Sequence, residues 1–177
     1  EPPAPGASPL LDLPAIFGRA APCVLEIGFG NGDALMAMAA EAPDRNFLGA
    51  EVHEPGVGHC LLAIARLGLT NVRLLREDAV EVLRERLPAD SLAGVHLYFP
   101  DPWPKRVHAG RRIFTPVFVA GLARTLVPGG RLFFATDVAA YARVACGHVL
   151  AVPEFREVAP EEHHPGLDTS FARKYRA

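Results

Sequence analysis

Short apolar runs punctuate this chain at intervals, with helical patterns between them. The runs are "CVLEIG" (23–28), "NFLGAEV" (46–52), "NVRLL" (71–75), "GVHLYF" (94–99), "RLFFAT" (131–136) and "FREVA" (155–159). Each is too short for an ordinary helix and reads as a strand. Between the first two, "GDALMAMAAEA" sets Leu35, Met38 or Ala39, and Ala42 on one helical face. A second helix is expected from Pro55 to Leu67. Asp78, followed by Glu81, opens the next one like a capping box with aspartate in place of Ser or Thr. Ile113, Phe114, Val117, Phe118, Leu122 and Leu126 mark a longer helix, which the Pro-Gly-Gly at 128–130 is expected to end. A last helix is expected from about Val138 to Leu150. Strand and helix alternating at this spacing predict an α/β fold, a mostly parallel sheet covered on both faces.

A length of 177 residues suits one domain with a sizeable core. Half the residues are apolar and 21% are charged, a composition that folds. The first ten residues, "EPPAPGASPL", hold four prolines. Residues 1–20 are therefore expected to be a flexible N-terminal segment, and residues 21–177 a single domain. Net charge is −2, so any contact with nucleic acid must come from a local patch. Cys23, Cys60 and Cys146 are odd in number and far apart. They read as small core residues of a reducing compartment, with the cytoplasm expected. There is no CxxC pair, and the His163–His164 doublet has no cysteine or carboxylate at ligand spacing, so no metal is expected. No run of about 20 apolar residues and no basic segment leading into an apolar one is present; neither a membrane nor secretion is expected. The residues leave monomer and homodimer open.

The ends of the expected strands carry the chemistry. "LEIGFGNG" (25–32) is strand, glycine turn, helix start, and Gly28, Gly30 and Gly32 let the backbone approach a ligand. A tight turn with no ligand explains the same glycines. Glu26 precedes them and suits a cationic ligand better than a pyrophosphate. Glu51 ends the second strand, 23 residues after Gly28, where an acid accepts from ribose hydroxyls; a plain exposed strand end accounts for it as well. Asp78 follows the third strand; it is a helix cap, an adenine contact, or both. Asp101 follows the fourth. Such an acidic ring fits the sulfonium and amine of S-adenosylmethionine and would repel the phosphates of NAD.

After the fourth strand comes "LYFPDPWPKRVHAGRR" (97–112). Asp101 stands between Pro100 and Pro102, which stiffen the chain around it. Trp103 either stacks on a base or packs beneath the loop. Lys105, Arg106, Arg111 and Arg112, with His108 among them, form a basic run without an acid, the residue types that bind phosphate. A plain solvated approach to a helix accounts for the same charges.

"EIGFGNG", "NFLGAEVHEPGVG", "FPDPWPK" followed by His108 and Arg111-Arg112, and "ATD" (135–137), in this order, resemble the bacterial tRNA (guanine-N7-)-methyltransferase family over residues 23 to 171. The resemblance implies a class I methyltransferase-like (Rossmann-like) sheet and S-adenosyl-L-methionine as cofactor. It implies methyl transfer to N7 of a guanine in the tRNA variable loop. Carried over by position, it makes Asp101 catalytic and assigns Glu26, Gly28, Gly30, Glu51, Asp78 and Asp101 to the cofactor. It assigns Lys105, His108, Arg111, Arg112, Asp137 and Thr169 to the tRNA substrate. Two departures stand out. The family pattern Thr-Lys-Phe-Glu is here "TSFA", with Ser170 and Ala172 in place of lysine and glutamate. No apolar run follows to form the final antiparallel strand of related sheets, which is expected to be absent. The rival readings are an exocyclic-amine nucleic-acid methyltransferase, argued against by the order Asp-Pro-Trp-Pro, and a catalytically silent RNA-binding subunit of the same fold.

Overall fold

Five strands, β1 (Cys23–Ile27), β2 (Asn46–Ala50), β3 (Val72–Leu75), β4 (Leu92–Tyr98) and β5 (Leu126–Ala135), pair in the order β3-β2-β1-β4-β5. Every pairing is parallel. The computed structural model describes residues 9–103 and 106–158, with the backbone alone at 106 and 109. β1 and β2 are buried at all five positions, as central strands covered on both faces must be. Side chains alternate between two cores. Val24 and Phe47 pack with α2 (Asp33–Glu41) and α3 (Glu54–Leu67) on one face. Leu25 and Leu48 pack with α5 (Pro116–Thr125) and α6 (Ala139–Leu150) on the other. Among the described residues no helix is long and apolar enough to cross a membrane.

The chain between the prolines and β1 is ordered rather than flexible, which corrects the expectation for residues 9–20. α1 (Leu13–Phe17) is capped by Asp12, whose carboxylate accepts from the Ala15 amide at 3.0 Å, and it ends at Gly18 with φ 72°. Leu11, Leu13 and Phe17 are buried in the core under α5. Arg73 of β3 clamps this segment, donating to the Ile16 carbonyl at 3.1 Å and lying 5.2 Å from the Phe17 ring centroid. Residues 1–8 and 159–177 lie outside the described residues, as do Lys105 and Thr169.

The Pro-Gly-Gly at 128–130 does not end a helix. α5 stops at Thr125, Leu126 is already extended, and the three residues lie inside β5. Their extra length is taken up as a register shift: Leu92 pairs with Leu126, while Gly94 pairs with Arg131. Gly129, at φ 80°, supplies the left-handed residue that the irregularity needs. At its other end α5 starts later than Ile113. Thr115 caps it, accepting from the Phe118 amide at 3.2 Å, so Ile113 and Phe114 belong to the approach. The helix expected after Asp78 is short: α4 (Ala79–Glu81) continues as a π-helical turn, Val82–Arg86. Residues 155–158 form no strand; a turn donates the Phe155 amide to the Val152 carbonyl at 3.0 Å, and the ring packs on the core. Cys23 and Cys60 are buried as expected, but Cys146 is exposed on α6.

Candidate active site

The parallel sheet points the carboxyl ends of all five strands at one edge, and the predicted acids gather there. Glu26 is the fourth residue of β1, while Glu51, Asp78, Asp101 and Asp137 follow β2, β3, β4 and β5. The chain runs from β1 outward to β2 and β3, then returns to pair β4 on the other side of β1. The loops after β1 and β4 thus flank a topological switch point, the crevice in which such sheets hold ligands.

Glu26 is only 3% exposed, and its Oε2 has no hydrogen-bond partner among the described residues. It lies in register with Gly49 of β2 and His96 of β4. Burial, with the Asp33 carboxylate adding to it, pushes the Glu26 carboxyl up to about 8. Asp33 opens α2 and was not singled out from the sequence; its place in the first turn after the glycines was the available signal.

The glycine loop is held from two sides. Gly28, Gly30 and Gly32 have φ of 66°, 55° and 85°, which L side chains rarely adopt. A Cβ at Gly28 or Gly30 would meet open space, so there the glycines serve conformation and leave room. A Cβ at Gly32 would stand 2.6 Å from the Cys60 sulfur of α3. Gly56 on α3, which the sequence reading passed over, matters equally: its Cβ would stand 2.4 Å from the Gly30 carbonyl oxygen. Glu51 is half-buried. Its Oε2 accepts from the Gly30 amide at 3.0 Å, and its Oε1 from the Val52 and His53 amides at 2.8 and 2.9 Å. A carboxylate has about four acceptor positions, so a ligand hydroxyl can still bind beside these three. Asp78 caps α4 as predicted, accepting from Val80 and Glu81 at 2.8 and 3.3 Å.

Asp101 is exposed. Two residues bracket it in the left-handed region, Phe99 at φ 49° and Trp103 at φ 40°. Each such residue costs on the order of 1–3 kcal/mol, so the surrounding structure must hold the turn. Arg112 does much of this. Its Nε donates to the Pro102 carbonyl at 3.0 Å and to the Trp103 carbonyl at 3.3 Å, and its Nη2 donates to the Trp103 carbonyl at 3.0 Å. Arg111 lies 5.0 Å from the Trp103 ring centroid, and His108 meets the same ring edge-on at 5.6 Å. Trp103 therefore packs within its own loop, the second of the two roles its sequence allowed. Behind Arg112 stands the buried ring of Tyr141, 6.0 Å away. Burial raises the Tyr141 phenol above its usual pKa; Arg112 opposes this and the Asp101 carboxylate adds to it. Among the predicted basic residues, His108, Arg111 and Arg112 come together on Trp103; Arg106 is described in backbone alone.

The sequence pattern of a family described as "Putative methyltransferase" matches residues 20–175. Curated relatives carry a more specific name. The tRNA (guanine-N(7)-)-methyltransferase of Alkalilimnicola ehrlichii is 46% identical over 176 residues, covering 96% of this chain and 73% of its own. This chain belongs to the tRNA (guanine-N7-)-methyltransferase family. The member from Halorhodospira halophila is 57% identical over 133 residues, 75% of this chain, and that from Chromohalobacter salexigens 49% over 153 residues, 86% of this chain. Of those two relatives' own lengths the matched regions span 58% and 62%. Solved structures agree on the fold, that of class I methyltransferases. TrmN from Thermus thermophilus superposes with a TM-score of 0.57 at 24% identity, covering 75% of this chain and 39% of that one. An antibiotic-related methyltransferase gives 0.56 at 15% identity, covering 78% and 71%. In this family member the departures at Ser170 and Ala172 lie outside the described residues.

Proposed function

We propose that this protein transfers the methyl group of S-adenosylmethionine to N7 of a guanine in the variable loop of cytoplasmic tRNA. The observation that carries the reading is the fixed Asp101 turn at the end of β4, across the switch point from the β1 glycine loop, in a chain of this family. The residues fit the donor. Glu26 offers a buried oxygen without a partner among the described residues, and Gly28 and Gly30 leave open space where side chains would stand. When bound, the donor supplies an electrophilic methyl on sulfur. Glu26 faces its cationic part, Glu51 takes the ribose hydroxyls, and Asp78 contacts the adenine.

Guanine N7 carries an in-plane lone pair and needs no general base, so catalysis rests on alignment and electrostatics. Positive charge develops on the guanine ring during transfer. Asp101, held as a carboxylate beside it, favours that charge without having to move. The Lys105, His108 and Arg111 side chains meet tRNA phosphates, with Asp137 and Thr169 on the substrate side. The test is to incubate bulk tRNA with isotopically labelled donor, digest it and identify the labelled nucleoside by mass spectrometry. Label in 7-methylguanosine is expected. Label on an exocyclic amine, or none, overturns the proposal.

A further inference from the structure

Arg111 and Arg112 look equivalent as sequence, two adjacent cations in a basic run. The structure gives them different tasks. Arg111 is exposed and touches only the face of Trp103 among its described contacts. The half-buried Arg112 turns its guanidinium inward onto two main-chain carbonyls, those of Pro102 and Trp103. These carbonyls immediately follow Asp101, and Trp103 is one of the two left-handed residues that bracket it.

We propose that Arg112 is a positioning residue: its guanidinium fastens the carbonyls of Pro102 and Trp103, and so fixes the Asp101 carboxylate, rather than binding a tRNA phosphate. The physical argument is one of geometry. A left-handed tryptophan is an unfavourable backbone state that reverts unless something holds it. The prolines at 100 and 104 follow Phe99 and Trp103 and bias both toward extended backbone, so neither proline ring accounts for their left-handed state. A planar guanidinium with donors in a rigid fork can engage neighbouring carbonyls together, which a lysine ammonium on a flexible stem does not reproduce. Tyr141 of α6 backs the guanidinium, so the fork is braced from the core side. The inference deepens the proposed function, because it takes Asp101 as the carboxylate to be placed.

The chain holds a single tryptophan, Trp103, which makes the turn directly observable. The experiment compares Arg112→Lys and Arg112→Ala with the unaltered protein. It reads Trp103 emission and acrylamide quenching without substrate, then kcat, KM for tRNA and the salt dependence of tRNA binding. Quenching should rise in both variants. Turnover should fall on the order of 100-fold, the scale of a displacement of about an ångström. KM should stay within about twofold and the salt slope should not change, since no phosphate contact is lost. Arg112→Lys is the deciding variant, because it keeps the charge and the fold while losing the fork. Normal turnover in Arg112→Lys overturns the proposal. So does a salt slope lowered by about 0.7–1 in Arg112→Ala with kcat unchanged, the signature of a phosphate contact. Quenching needs no tRNA: if the unaltered protein methylates nothing, the proposed function fails, while unchanged quenching in both variants sinks the Arg112 anchor on its own.

Discussion

Glu51 reaches back 21 residues to take the Gly30 amide on its Oε2 at 3.0 Å. The acid that ends β2 thereby fastens the loop that follows β1, and its other oxygen closes the turn at Val52 and His53. One side chain thus ties together two walls of the crevice.

Removing it should be felt twice. Glu51→Ala should weaken binding of S-adenosylmethionine by about 1.5–3 kcal/mol, the scale for a hydrogen bond to a charged group. It should also speed amide exchange at Gly30, Val52 and His53 in the free protein. Calorimetry and hydrogen exchange check the two effects separately; unchanged affinity in a folded variant refutes the ribose assignment.

Gly56 and Gly58 lie two residues apart on α3 and should behave in opposite ways. A methyl group at 56 would stand 2.4 Å from the Gly30 carbonyl oxygen, whereas one at 58 meets nothing within 4 Å. Gly56→Ala should destabilise the protein by about 1–3 kcal/mol through overpacking against backbone. Gly58→Ala should be neutral or stabilising by up to about 1 kcal/mol, since alanine is the better helix former. Denaturant melts of the two variants, with donor binding to the folded fraction, test the contrast.

Glu26 makes stability and donor binding depend on pH. Its folded value of about 8 exceeds the ordinary 4.5, because burial, and then Asp33, disfavour the charged form. The folded protein therefore keeps a proton that the unfolded chain releases. The penalty from Glu26 is absent below 4.5, grows as pH rises through the window, and is fully present above about 8. Glu26→Gln removes this titration, so its stability relative to the unaltered protein should improve from pH 5 to pH 8, by up to several kcal/mol. A cationic donor beside Glu26 should draw the proton off. Calorimetry at pH 7 in buffers of different ionisation enthalpy should then show proton release, and show none in Glu26→Gln.

Asp101→Asn keeps the shape of the side chain and removes its charge. Turnover should fall by about 100-fold or more, the scale for losing one preorganised electrostatic partner, while tRNA affinity stays nearly unchanged. A normal methylation rate would make Asp101 structural.

The strands were legible because buried parallel strands are written as unbroken apolar runs, as in Cys23–Ile27 and Asn46–Ala50. The acids at the strand ends were legible for the same reason, once the strands were placed. Two misreadings share a cause. Pro-Gly-Gly at 128–130 usually punctuates, but in β5, paired to β4, it is absorbed as an irregularity in the ladder. The cap Asp12 and the following Pro14 obey the rules of a helix start, yet they sit beside a proline-rich stretch that reads as a tail. The role of Arg112 was hidden for a deeper reason. Its partners are main-chain carbonyls, which no residue type announces. A basic run looks like a surface for phosphate until the fold shows which of its members have turned inward.

Phe29 is the one side chain between Gly28 and Gly30, and it is buried beneath them, filling the space that Gly49 leaves on β2. Over residues 28–30 the loop offers a visitor only peptide groups. A surface of bare backbone fits closely but discriminates little, since every amide resembles the next. Changing which nucleoside this crevice accepts would therefore have to be done from the neighbouring strand ends, at Glu51 and Asp78, or from the exposed Asn31, because residues 28–30 have no exposed side chain to edit.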